Sequence, residues 1–201
     1  MHSRFPKRII LASQSPRRQE LLRQIAVDFE LYQSEIDESV KAGEKPQEYV
    51  ERMAREKALF AWQKLILESP QRQSEMVVVT ADTSVVQGDQ ILGKPKDQNS
   101  AKQMLKSLSN VSHQVMTSVA IIDHEGLSIA TSITEVIFCE LTDQLIEQYL
   151  ATGEGMDKAG GYAIQGLAAQ FVKSINGSYS GVVGLPLYET SMLLDQHFKG
   201  K

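Results

Sequence analysis

The chain has 201 residues, 42% of them hydrophobic and 23% charged, enough for one substantial core, and a single domain spanning 1–201 is expected. Its formal net charge of −4, with Lys and Arg dispersed along the chain, excludes the basic footprint of a polymeric nucleic-acid binder. Cys139 is the only cysteine, so no internal disulfide can form, and the apolar stretch Ile9 to Ala12 is too short for a signal-peptide core or a membrane span; a cytoplasmic setting is expected.

Arg8 to Ser13 reads as a short apolar strand that runs directly into a helix, with Ser15 as N-cap and Pro16 at the first helical position. Leu21, Leu22 and Ile25 form that helix's inner face. Phe29 to Ile36 reads as a second strand, and Asp37 to Lys45 as a mobile loop. A long helix is expected from Pro46 toward Glu68, with Tyr49, Val50, Met53, Ala54, Lys57, Ala58 and Ala61 at helical spacing. Lys57 falls inside this apolar stripe, where an ammonium must either snorkel outward or meet an anion.

Met76 to Val86 is the strongest strand signal, and its continuous apolar run predicts a strand covered on both faces at the sheet centre. Gln87 to Gln90 turns the chain, and Asp97 caps a helix carrying Met104, Leu105 and Leu108. His113 to Ile122 and Leu127 to Glu140 form a hairpin around Asp123 to Gly126. Thr142 caps a helix to Tyr149; a Gly-rich stretch, Gly153 to Gly166, then leads to a strand at Ala169 to Ile175, an Asn176-Gly177 turn and a last helix starting at Pro186. Alternating strands and helices with hairpins in the second half predict an α/β fold with a mixed twisted sheet flanked by helices.

Ser13, Ser15, Arg17 and Arg18 place two hydroxyls, free amides and two guanidinium groups at one helix N-terminus, a site suited to a polyphosphate. The same residues would equally serve as an ordinary cap beside two solvated arginines. Asp82 follows the apolar strand residues, where a carboxylate can face a cleft while its backbone stays fixed in the sheet.

The string Leu11 to Leu22 resembles the opening motif of the Maf family of nucleotide pyrophosphatases. Thr80-Ala81-Asp82-Thr83, Leu92-Gly93-Lys94-Pro95, Asp157-Lys158-Ala159-Gly160, Ile164-Gln165-Gly166 and Val183-Gly184-Leu185-Pro186-Leu187 follow in the family's order, so the resemblance covers nearly the whole chain. It implies a Maf and inosine-triphosphatase-like fold of two lobes around a deep cleft, often as a homodimer, hydrolysing a nucleoside triphosphate with Mg²⁺ or Mn²⁺. By resemblance Asp82 is the general base or a metal ligand, and Glu38 is the second catalytic and metal-binding carboxylate. Ser13, Arg17, Arg18, Lys57 and Lys94 bind the triphosphate.

Asp82-Thr83 together with Ile164-Gln165-Gly166 resembles the branch acting on dTTP and UTP, with Arg17, Thr83 and Gln165 setting specificity. Gly181 departs from the family's usual Asn, so any side-chain role there is lost. A nucleotide-binding regulator of septum formation, or the same hydrolysis on a purine or modified nucleotide, are the alternatives the resemblance leaves open. His113, Trp62 and Cys139 read as packing residues, and Gln71 to Glu75 as an exposed longer loop.

Overall fold

The computed structural model describes residues 7–33 and 35–199. One seven-stranded sheet has the order β2-β1-β3-β5-β6-β7, with β4 also paired to β3. The strands are β1 (Arg8–Leu11), β2 (Glu30–Leu31), β3 (Met76–Gln87), β4 (Gln90–Leu92), β5 (Ser112–Asp123), β6 (Gly126–Phe138) and β7 (Val172–Asn176). β1 is parallel to both β2 and β3, and the other pairings are antiparallel, so the sheet is mixed as expected. β3 is central, and its first six residues are all buried.

Among the described residues, six α-helices flank the sheet: α1 (Pro16–Gln24), α2 (Pro46–Glu68), α3 (Gln98–Leu108), α4 (Asp143–Ala151), α5 (Tyr179–Val183) and α6 (Leu187–Lys199). On one face, Ala54, Ala58 and Ala61 of α2 pack with Trp62 against Ile10, Val78, Ala120 and Ile122. Small side chains on that stripe let the helix lie close to the strands. The opposite face carries the larger core, in which Leu22, Leu105, Ile146, Leu185 and Leu194 are fully buried. Each such side chain contributes roughly 1.5–3 kcal/mol. Trp62 is a core residue, and Cys139 packs at the core's margin.

Local chemistry starts the helices where the sequence places them. Asp97 accepts from Ser100 N at 2.7 Å to cap α3, and Thr142 accepts from Leu145 N at 3.2 Å to cap α4. Ser15 stands at the N-cap of α1 with Pro16 next, but its side chain makes no capping hydrogen bond, which corrects that expectation.

Other expectations fail for reasons of pairing. β2 is confined to Glu30 and Leu31, not Phe29 to Ile36, because β1 ends at Leu11 and Tyr32 N to Leu11 O, 3.0 Å, is the last bond β1 can offer. The last strand begins at Val172 rather than Ala169. Leu167–Phe171 instead forms a 3₁₀ turn that buries Phe171 against Tyr149 and Phe138, at ring separations of 5.1 and 6.0 Å. Pro186 lies one residue outside α6, and its carbonyl accepts from Thr190 N at 2.9 Å. Helix α5 has no counterpart among the expected elements. Gln71 to Glu75 is exposed within a 3₁₀ turn, Pro70–Glu75. No helix among the described residues is long and apolar enough to cross a membrane.

Candidate active site

β1 covers one edge of β3 from Met76 to Val79, and β4 covers the same edge from Val85 to Gln87. Between them Thr80 to Ser84 keep β5 on one side and have no strand on the other. A cleft of about 980 Å³ opens at this gap. The loop leaving β1 brings Ser13 to it, the first turn of α1 brings Arg17 and Arg18, and the loop leaving β4 brings Lys94.

Alternation along β3 then sends consecutive residues to opposite faces. Asp82 points to the α2 face, where Lys57 Nζ lies 2.6 Å from its Oδ1. The same ammonium lies 2.7 Å from Glu38 Oε1. Lys57 therefore meets anions rather than snorkelling. Burial pushes the Asp82 carboxyl above its ordinary value, although the Lys57 and Arg18 charges oppose the rise. Glu38 is also raised by burial, but the hydrogen bond and charge of Lys57 outweigh this and leave it low.

Thr83 points to the other face. Arg18 spans it there: Nε donates to Gly184 O at 2.8 Å, Nη1 to Ser13 Oγ at 3.2 Å and Nη2 to Thr83 Oγ1 at 3.4 Å. All three partners are neutral, and Arg17, Arg18 and Lys94 take part in no salt bridge among the described residues. α1 also has no acidic residue in its first turn. The cleft thus gathers basic groups free of direct ion pairs at a helix N-terminus, which suits a polyphosphate.

Gln165 lines the cleft beyond Thr83, with Tyr162, Ile164 and Val182 beside it. Glu154 sets its turn by accepting from Leu167 N at 3.0 Å and Ala168 N at 3.4 Å. Gly160 N donates to Gly93 O at 3.1 Å, linking this turn region to the residue before Lys94. Gly160 has φ 69°, and a Cβ there would stand 2.9–3.0 Å from the Val85 side chain, so the position requires glycine. All nine residues expected in the site, Ser13, Arg17, Arg18, Glu38, Lys57, Asp82, Thr83, Lys94 and Gln165, line the one cleft.

Residues 8–197 match the profile of the family described as Maf-like protein. The chain belongs to the Maf-like family. It is 47% identical over 190 residues to the dTTP/UTP pyrophosphatase of Hahella chejuensis, covering 94% of this chain and 92% of that one. Its identity to the dTTP/UTP pyrophosphatase of Chromobacterium violaceum is 49%, covering 93% of each chain. For the protein of the same description from Pseudoalteromonas atlantica it is 48%, covering 94% of this chain and 96% of the relative.

In this Maf-like protein the donor set fits a hard divalent cation. Glu38 and Asp82 converge on one ammonium, that of Lys57. No group of three or more His, Cys, Asp or Glu side chains suited to a metal occurs among the described residues. Such an ion would complete its shell with water and substrate phosphates, as Mg²⁺ commonly does.

Several supporting residues of this Maf-like protein went unmarked in the sequence. Tyr49 Oη donates to Glu38 O at 2.9 Å, and Arg52 donates to Ser39 O at 2.9 Å while binding Glu44 through two nitrogens at 2.5 and 2.8 Å. Tyr49 and Lys57 are eight residues apart on one face of α2, a spacing that could have pointed to a shared role. Glu154 offered no comparable signal. Where the family's usual Asn would stand, the Gly181 carbonyl accepts from Thr117 Oγ1 at 2.7 Å.

Proposed function

We infer that this chain hydrolyses dTTP and UTP to the monophosphate and pyrophosphate. The single observation that carries the chemistry is Asp82, buried, held at the strand gap and facing a cleft whose other wall carries Arg17, Arg18 and Lys94. The relatives' shared description supplies the choice of base.

Asp82 accepts the proton of a water attacking the α-phosphorus, and the α–β bridging oxygen leaves with pyrophosphate. A carboxyl raised by burial is the better base, which is how its environment assists. The guanidinium groups of Arg17 and Arg18 and the ammonium groups of Lys57 and Lys94 take up the charge growing on the departing pyrophosphate. A divalent ion held by Glu38, Asp82 and the phosphates would withdraw phosphate charge and acidify a bound water. The opposite face of β3, with Thr83 and Gln165, receives the base, and the Gln165 amide can both donate to and accept from a pyrimidine edge.

Pyrophosphate release across canonical and modified triphosphates, with Mg²⁺ and with Mn²⁺, tests this reading. Preference for dTTP and UTP is expected. Release of neither product from any nucleotide by protein that is folded by circular dichroism would sink it, and a purine preference would overturn the substrate assignment.

A further inference from the structure

Lys57 Nζ occupies the point where the Glu38 and Asp82 carboxylates converge, 2.7 and 2.6 Å from their oxygens. Building on the reading that these two carboxylates hold the divalent ion, we propose that Lys57 is a placeholder cation that couples metal binding to nucleotide binding. The ammonium must leave that point before an ion can occupy it, and a bound triphosphate offers it a new anionic partner.

The Lys57 and Asp82 side chains are 12% and 11% exposed, so neither charge can fall back on bulk water. An ion arriving alone would strand the ammonium without its carboxylates. A charge deprived of its partner in such a setting is strongly unfavourable. A triphosphate arriving alone meets two carboxylates and an ammonium that is already engaged. Arriving together, the ion takes the carboxylates and the phosphates take Lys57, and no charge is left unpaired.

The frame around Lys57 suits such an exchange. Asp82 is anchored through its strand pairing with Ser118, and the Glu38 backbone is anchored by Tyr49 Oη. Both carboxylates can therefore stay in place while Lys57 turns on a flexible four-carbon stem. The consequence is synergy between ion and nucleotide, with weak binding of either one alone.

The test is Mn²⁺ binding by the whole chain, read from the electron paramagnetic resonance signal of free Mn²⁺. It is run with and without a dTTP analogue whose α–β bridging oxygen is replaced by NH, the Mn²⁺ that the analogue binds by itself being subtracted from a titration without protein. In the unsubstituted protein the analogue should tighten Mn²⁺ binding about tenfold or more. Lys57→Met should bind Mn²⁺ alone about tenfold more tightly than the unsubstituted protein does, and the further gain from the analogue, whose phosphates ligate the ion in every variant, should be smaller than in the unsubstituted protein. Lys57→Arg, which keeps the charge, should stay weak alone, and adding Asp82→Asn to Lys57→Met should abolish the gain.

Equal or weaker Mn²⁺ binding by folded Lys57→Met overturns the placeholder role and leaves the carboxylate ion site intact. Persistence of the gain in the double variant also overturns it, because the ion then lies elsewhere. No Mn²⁺ binding by any variant, even with the analogue, removes the ion site and the placeholder together.

Discussion

Asp82 and Thr83 are neighbours in sequence, yet one faces Lys57 and the other Arg18, because a strand alternates its side chains. Both residues were legible in the sequence, since the motif lies in an unmistakable buried strand. Lys57 was half legible: its position in an apolar stripe left snorkelling and an anionic partner equally open, and nothing in the stripe named Glu38 and Asp82. The Arg18 to Gly184 bond, by contrast, joins positions 166 residues apart, and no local pattern encodes it. His113 is a packing residue as expected, with Nε2 2.9 Å from Tyr162 Oη and no hydrogen-bond partner for Nδ1. Burial pushes its pKa down to about 4. The unfolded chain therefore binds more protons than the folded one between about pH 6.5 and 4, and His113 lowers stability as pH falls through that window. Urea midpoints measured from pH 6.5 to 4.5 should fall in the unsubstituted protein and fall less in His113→Phe; identical slopes would refute this role.

At the scale of elements, α2 matches the sequence reading at both ends because a proline start and a long apolar stripe define it. The loop before it was legible as a loop but not as a docked one. Arg52 grips Glu44 and Ser39, and Tyr49 grips Glu38, so the loop is fastened to α2 through side chains that periodicity reads only as helix surface. Arg52→Ala should release the Glu38 carboxylate from the cleft and lower kcat/KM by roughly 10²-fold, with the circular dichroism spectrum unchanged. Cleavage by trypsin after Lys41 should also quicken; unaltered kinetics and proteolysis would show that the tether has no role.

The turn at Gly160 makes a comparable link between elements. Gly160→Ala meets both an unfavourable φ and the Val85 side chain, and should lower stability by roughly 1–3 kcal/mol while raising KM through displacement of Gly93 and Lys94. Because Val85→Ala opens that space, the double variant should recover part of both losses. Failure of the double variant to recover anything would place the fault outside this contact.

Across the whole molecule, the order of elements apart from β4 and α5 and the mixed character of the sheet followed from sequence, whereas the insertion of β1 between β2 and β3 did not. That placement creates the gap in β3 and hence the cleft. At the far end of β5 the fold is closed by Asp123. Its carboxylate accepts from Lys7 Nζ at 2.9 Å and from Glu125 N at 2.9 Å, and lies 3.3 Å from His197 Nδ1, joining the start of β1, the β5–β6 turn and the end of α6. Burial alone would raise this carboxyl, but those partners outweigh it and hold the pKa at about 2. Its stabilising effect is thus complete above the unfolded value near 4 and is lost as pH falls toward about 2. Asp123→Ala leaves a buried ammonium unpaired and should cost about 3–5 kcal/mol in urea unfolding at neutral pH; a loss under about 1 kcal/mol would contradict the closure.

The most direct measurement compares the unsubstituted protein with Asp82→Asn for pyrophosphate release from dTTP and for binding of the same α–β-bridged analogue. The account predicts a fall in kcat of about 10²–10⁴-fold, with binding of the analogue measured without divalent ion retained. An Asp82→Asn variant that still turned over dTTP at the unsubstituted rate would contradict it.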